Sequence, residues 1–365
     1  MSKLWLVNAV LLLSLFGGAW AESSAEILES DEQPPKKEES KLPLDATVES
    51  EDTPQVKKLP LVTNEDISPL LAKAISKEKR GKKPKETVAL YQQVVTAEPE
   101  NAAAFYRLGI AMVRNEQLLD GAAMLEQALQ LKPGHPKYLC DYGLAALRIG
   151  WLEKAAVACQ TAALAVPAEA RFQSALGDCQ LAARRLNDAA DSYKRAINLT
   201  KGRNPDYIYN LGLTHLYAHA FKKAIEIFNE VIAMRGDYSP YYCSRGLAYE
   251  NIKNIKQAIA DYCMALNLNK DDAYAHFLLA GTYSNPDDPT YTNKFEAVTH
   301  AEKAVKLSQY KNAQYLMGLS RALRVAHNYD QASAIAKKAI AIDPREDYKQ
   351  ELVHLEQMKM PDFRK

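Results

Sequence analysis

Few of the signatures from which chemistry is usually read occur in this chain. Its 365 residues contain no C-x-x-C pair, no H-E-x-x-H, no G-x-S-x-G and no phosphate-cradling glycine loop, which removes the common zinc, hydrolase and nucleotide readings. Long apolar runs are almost absent too. The one such run, Leu4 to Phe16, has 13 residues. As a helix it would span only about 20 Å of a hydrocarbon layer roughly 30 Å thick, so a permanent membrane anchor is not expected. Net charge is nearly absent at +1, and the five cysteines are an odd number, so they cannot all pair within one chain.

That apolar run reads instead as export. Lys3 supplies a positive start and Ala19-Trp20-Ala21 a small-x-small cleavage pattern, so residues 1–21 are expected to be a signal peptide. Residues 22–65 hold 12 acidic against 5 basic side chains and no aromatic residue, the composition of a disordered acidic leader. The remainder is mildly basic, with 40 cationic against 33 acidic residues.

Beyond the leader, self-similarity at a fixed period dominates. Gly109, Gly143, Gly177, Gly212 and Gly246 are separated by 34, 34, 35 and 34 residues. Twelve residues after each stands Gly121, Ala155, Ala189, Ala224 or Ala258, and seven further on Ala128, Ala162, Ala196, Val231 or Ala265. Four residues before each glycine lies Phe105, Leu139, Ile208 or Tyr242, with Gln173 as the exception. Such spacing predicts units of two antiparallel helices whose backbones meet where the small residues face one another. Tyr193, Phe228 and Tyr262 would then fill the gap to the next pair, so only a stack buries a continuous core. Pro133 and Pro167 fall just past the second helices of their units, where a proline ends a helix at little cost.

Segments such as Tyr106-Arg107-Leu108-Gly109 and Glu126-Gln127-Ala128-Leu129-Gln130-Leu131-Lys132-Pro133 recur in register, and residues 102–272 resemble five tetratricopeptide repeats. A divergent unit is expected at 66–101, two modified units at 273–344 with an insertion near 284–294, and a capping helix and tail at 345–365. Between Gly318 and Ala332 there are two residues more than the family spacing, which predicts a longer first helix or turn in the last unit. The resemblance implies an all-α α-solenoid, a right-handed superhelix of about eight stacked helix pairs. It also implies a concave face built from the first helices. Projected onto this chain, that face carries Tyr106, Arg114, Leu144, Arg148, Arg171, Tyr209, Leu213, Tyr217, Leu247, Tyr274 and Phe277, a mixture of aromatic and cationic groups of the kind that anchors protein partners. Each of these aromatics is equally at home as a packing side chain. Some members of the family grip a terminal carboxylate, and Asn210 matches one slot of that clamp, but Pro240 and Ser244 stand where its cations belong.

Three further features compete with plainer readings. His215 and His219, four residues apart, resemble half a metal site, yet no third ligand is suggested by spacing, and packing is preferred. The stretch Lys77, Lys79, Arg80, Lys82, Lys83 and Lys85 offers peripheral contact with anionic lipid or with the acidic leader, against a solvated turn. An exported chain excludes nucleic acid as the natural partner. Cys159 and Cys179, falling on neighbouring helices, are the candidate disulfide, against the alternative of small buried hydrophobes. No cofactor and no catalysis are expected. The sequence reads as an exported scaffold or adaptor that binds a polypeptide, in the periplasm or else in an extracellular or secretory space, during envelope assembly or maintenance. The alternative is a repeat stack that assembles with itself or docks on a complex through its convex face.

Overall fold

The computed structural model describes residues 67–79, 84–285 and 289–359. The expected signal and leader lie outside these residues, as do Arg80, Lys82 and Lys83 and the centre of the insertion. Among the described residues every regular element is an α-helix, so the all-α expectation holds. None of these helices is long and apolar enough to cross a membrane. They fall into two compact units, one ending at Ala183 and the other beginning at Arg184.

The first unit contains α1 (Pro69–Lys79), α2 (Pro84–Ala97), α3 (Ala102–Arg114), α4 (Leu118–Leu131), α5 (Pro136–Ile149), α6 (Leu152–Ala165) and α7 (Ala170–Ala182). Each packs on the next in chain order. A methyl group added to Gly109 would lie 2.8 Å from the Gly121 carbonyl oxygen, and one on Gly143 would lie 2.5 Å from the Cys159 sulfur and 3.1 Å from the Ala155 oxygen. The small residues are therefore where backbones touch, as the spacing predicts. Gln173, the exception in the apolar slot, is buried but donates its side-chain amide to the Pro167 carbonyl at 3.2 Å, which offsets the cost of hiding it.

The second unit contains α8 (Leu186–Leu199), α9 (Pro205–Tyr217), α10 (Phe221–Met234), α11 (Ser239–Asn251), α12 (Ile255–Leu268), α13 (Ala273–Tyr283), α14 (Lys294–Leu307), α15 (Ala313–Val325), α16 (Tyr329–Ile342) and α17 (Glu346–Lys359). Phe228 and Tyr262 are wholly buried, and their rings press on Gly212 and Gly246. Burial of each such ring contributes about 1.5–3 kcal/mol. Asparagines open five of these ten helices: Asn204, Asn254, Asn293, Asn312 and Asn328 each accept a backbone N–H of the first turn.

The last pair corrects one expectation. Helix α15 has 13 residues, no more than α9 or α11. The glycine slot is held by Ser320, twelve residues before Ala332, and its hydroxyl donates to the Ala332 carbonyl at 2.8 Å. Gly318 serves another contact: a methyl there would lie 2.8 Å from the Phe277 ring. Small size set the slot, and serine meets that requirement as glycine does.

Turns inside the pairs repeat as closely as the helices do. Glu116, Gly150, Arg184, His219, Lys253 and His327 all have left-handed φ, between 57° and 92°. In five of these turns, all but that at Arg184, the following N–H reaches back five residues, as in Gln117 to Met112 at 3.0 Å and Ala220 to His215 at 2.9 Å. This is a helix C-terminal closure that satisfies carbonyls otherwise left open.

Candidate partner-binding faces

In the first unit the predicted cations are already engaged. The Arg171 guanidinium bonds the Asp141 carboxylate, whose other oxygen accepts the Tyr106 hydroxyl at 2.7 Å. Arg148 bonds Glu116 at 3.0 Å and the Val113 carbonyl at 3.4 Å. Arg114 reaches Glu78 at 3.4 Å, and Glu78 also accepts the Tyr91 hydroxyl at 2.5 Å. Each arginine thus takes a carboxylate from earlier in the chain, Glu78 and Asp141 from helices and Glu116 from the turn after α3. Burial alone would lower the Arg171 pKa, but the Asp141 charge beside it outweighs that and holds the value above the ordinary one. Tyr106 is stacked on Tyr138 at 4.5 Å between ring centres, and burial followed by the Asp141 charge pushes its hydroxyl well above the usual range. Leu144 is buried in the core with Cys140, Cys159 and Cys179.

The second unit's predicted residues make an aromatic wall. Tyr209 tilts against Tyr241 at 4.8 Å and shares a 2.9 Å hydrogen bond with Ser244. Tyr274 stacks on Phe277 at 6.4 Å, and Phe277 lies 5.2 Å from Tyr315. Burial, reinforced by the neighbouring Tyr217, Tyr209 and Tyr315 hydroxyls, raises the Tyr274 hydroxyl well above its usual value. Burial does the same to Tyr217. Leu213 is buried, whereas Tyr209, Tyr217, Leu247, Tyr274 and Phe277 are half-buried. Among the described residues, the hydroxyls of Tyr217, Tyr274 and Tyr315 make no hydrogen bond. The ninth residues of α9, α11, α13 and α15 are Leu213, Leu247, Gly281 and Arg321. Nothing lies within 4 Å of a methyl built on Gly281, so the wall is open there, and Arg321 beyond it is exposed.

Arg321 escaped the sequence reading because Gly318, two residues before Ser320, misplaced the register of the last pair, and Tyr315 and Gly281 were left off the projected face. Counting nine residues from the helix starts finds Gly281 and Arg321. Of the remaining features, His219 sits in the left-handed turn after α9 has ended, so it does not share a helix face with His215. Burial followed by the nearby Lys223 and Lys194 charges lowers the His215 pKa, as expected of a packed neutral ring. No group of three or more His, Cys, Asp or Glu able to hold a metal occurs among the described residues. Lys77, Lys79 and Lys85 are exposed. All five cysteines are thiols, four of them buried and Cys263 exposed.

Tetratricopeptide-repeat family models match residues 71–136 and 239–272. A curated relative, the peroxisomal targeting signal receptor of Eremothecium gossypii, is 24% identical over 208 residues, 56% of this chain and 36% of the receptor. The chain therefore spans about a third of that relative's length. Among solved structures, the Cut9–Hcn1 hetero-tetramer of the APC/C aligns with a TM-score of 0.59 at 15% identity over 82% of this chain and 57% of the other. Yeast Tom70 aligns at 0.58 and 14% identity over 76% and 58%. A tetratricopeptide repeat protein from Parabacteroides merdae aligns at 0.56 and 14% over 70% and 98%. These likenesses show the fold.

Proposed function

Because this chain carries tetratricopeptide repeats, whose work elsewhere is to hold proteins, we propose that it is a non-catalytic scaffold gripping a partner polypeptide on the first-helix face of its second unit. The observation that carries this reading is the wall of half-buried rings whose Tyr217, Tyr274 and Tyr315 hydroxyls have no bond within the described residues. Hydroxyls on a mostly apolar surface suit the backbone of an extended or helical segment, with the rings supplying contact area. Arg321, exposed past the opening at Gly281, suits an acidic group on that segment. The expected signal adds export, with the periplasm as the expected site and envelope assembly or maintenance as the setting. Peptides selected on the chain from a displayed library supply the test. Tyr217→Ala with Tyr274→Ala should weaken them at least tenfold while Arg148→Ala leaves them unchanged; the reverse pattern would sink the assignment.

A second reading rests on α6. Its outward residues Val157 and Leu164 are 66% and 56% exposed, and no charged residue occurs from Ala155 to Ala168. This surface suits self-assembly or docking on a complex. Light scattering of Val157→Glu beside the parent would separate the two, a monomeric parent at high concentration removing self-assembly. Lys77, Lys79 and Lys85 are read as solvated, and salt-sensitive binding to anionic vesicles would reverse that.

A further inference from the structure

In three pairs the first-helix glycine faces a large plug sixteen residues on. Gly109 meets Leu125, Gly212 meets Phe228 and Gly246 meets Tyr262. Gly143 instead meets the sulfur of Cys159. One pair therefore has a thiol where its neighbours have a large side chain, and its second helix, α6, is otherwise lined by Ala155, Ala158, Ala162 and Ala163. The volume is completed from the following helix. Cys179 of α7 lies in the same core, within hydrogen-bonding reach of Cys159, and Cys140 of α5 adjoins them. All three are buried.

We propose that Cys159 and Cys179 form a disulfide that staples one helix pair to the next, in place of the leucine or aromatic side chain that plugs this position in those pairs. The reaction is thiol–disulfide exchange with a small or protein disulfide as oxidant. The thiolate of one cysteine attacks that disulfide, forming a mixed disulfide and releasing one reduced thiol. The thiolate of the other attacks the mixed disulfide, closes the Cys159–Cys179 bond and releases the second thiol. Two protons leave the protein and two electrons pass to the oxidant. In the folded chain the contact with Cys179 and then burial keep Cys159 protonated, so attack by its thiolate is slow. The bond belongs to folding, before α6 and α7 close, and afterwards it is shielded from reductants. Cys140, sharing the core, is the third thiol against which the pairing must be distinguished.

The full chain, unfolded and reduced, is refolded in a mixture of oxidised and reduced glutathione, alkylated under denaturing conditions and digested with trypsin. Cys159 and Cys179 fall on separate peptides, 155–171 and 172–184, and Cys140 on a third, 138–148. The expected product links the first two. The oxidised protein should also melt roughly 5–10 °C above the same protein reduced, a difference that vanishes in Cys179→Ala. Comparing each protein with itself removes the packing effect of the substitution. Complete alkylation of all five cysteines, or a link that joins Cys140 instead, would overturn the proposal.

Discussion

The carboxylate of Asp141 binds Arg171 from the following first helix and Tyr106 from the preceding one, so a single buried charge ties α3, α5 and α7 together. Removing it strands a guanidinium whose side chain is only 26% exposed. Asp141→Ala should cost about 3 kcal/mol, because breaking a largely buried pair leaves the partner uncompensated. Tyr106→Phe, which deletes one hydrogen bond, should cost about 1 kcal/mol. Urea denaturation midpoints of the two variants would check the order, and equal effects would show that Asp141 is not the shared anchor.

Two glycine substitutions should act in opposite directions. Gly246→Ala places a methyl 2.5 Å from the Tyr262 ring, with no slack in a close-packed seam, and should destabilise by roughly 1–3 kcal/mol. Gly281→Ala meets nothing within 4 Å and lies inside α13, so it should stabilise by roughly 0.5–1 kcal/mol through backbone entropy. Melting temperatures decide both.

Left-handed turns held by residues with a β-carbon carry a small strain. Lys253, at φ 65°, is exposed, and Lys253→Gly should stabilise by about 0.5–1 kcal/mol. Gly150→Ala, at φ 92°, should destabilise by about 1 kcal/mol although nothing lies within 4 Å of the added methyl. A melt of each variant tests whether conformation alone governs these positions.

The imidazoles of His276 and His300 face one another with Nδ1 atoms 2.7 Å apart, so one must donate and the other accept. Burial lowers both pKa values; Lys303 lowers both further, while Asp272 and the Lys270 carbonyl favour charge on His276 and Glu296 favours it on His300. With folded values below the unfolded 6.5, the unfolded chain binds more protons as pH falls through that value, and stability should fall with it. Urea midpoints measured above and below pH 6.5 should show the loss, and it should shrink in His300→Gln. A flat profile would mean the pair accepts its protons freely.

Much of the fold was legible because steric demand repeats. Gly143 with Ala155 and Gly246 with Ala258 meet where spacing alone puts them, since nothing larger fits between two touching helices. The slot held by Ser320 was missed because serine is also small enough, while nearby Gly318 carried the familiar letter for a different contact. The turn closures were illegible for the opposite reason: of six left-handed positions only Gly150 is glycine, and the hydrogen bonds that hold the others involve backbone alone. The candidate faces were half legible. Periodicity finds which residues share the first-helix surface, but whether an arginine there is free depends on a carboxylate some 30 residues away, and Glu78, Glu116 and Asp141 carry no local mark of that role.

Those bonds all point the same way along the first unit: Arg114 to Glu78, Arg148 to Glu116, Arg171 to Asp141. A stack wired in this manner has polarity. Shortening it from the front would strand a cation on each new leading pair, whereas trimming from the back would leave a lone anion, so fragments cut at matching seams from opposite ends should differ in the sign of the charge they expose.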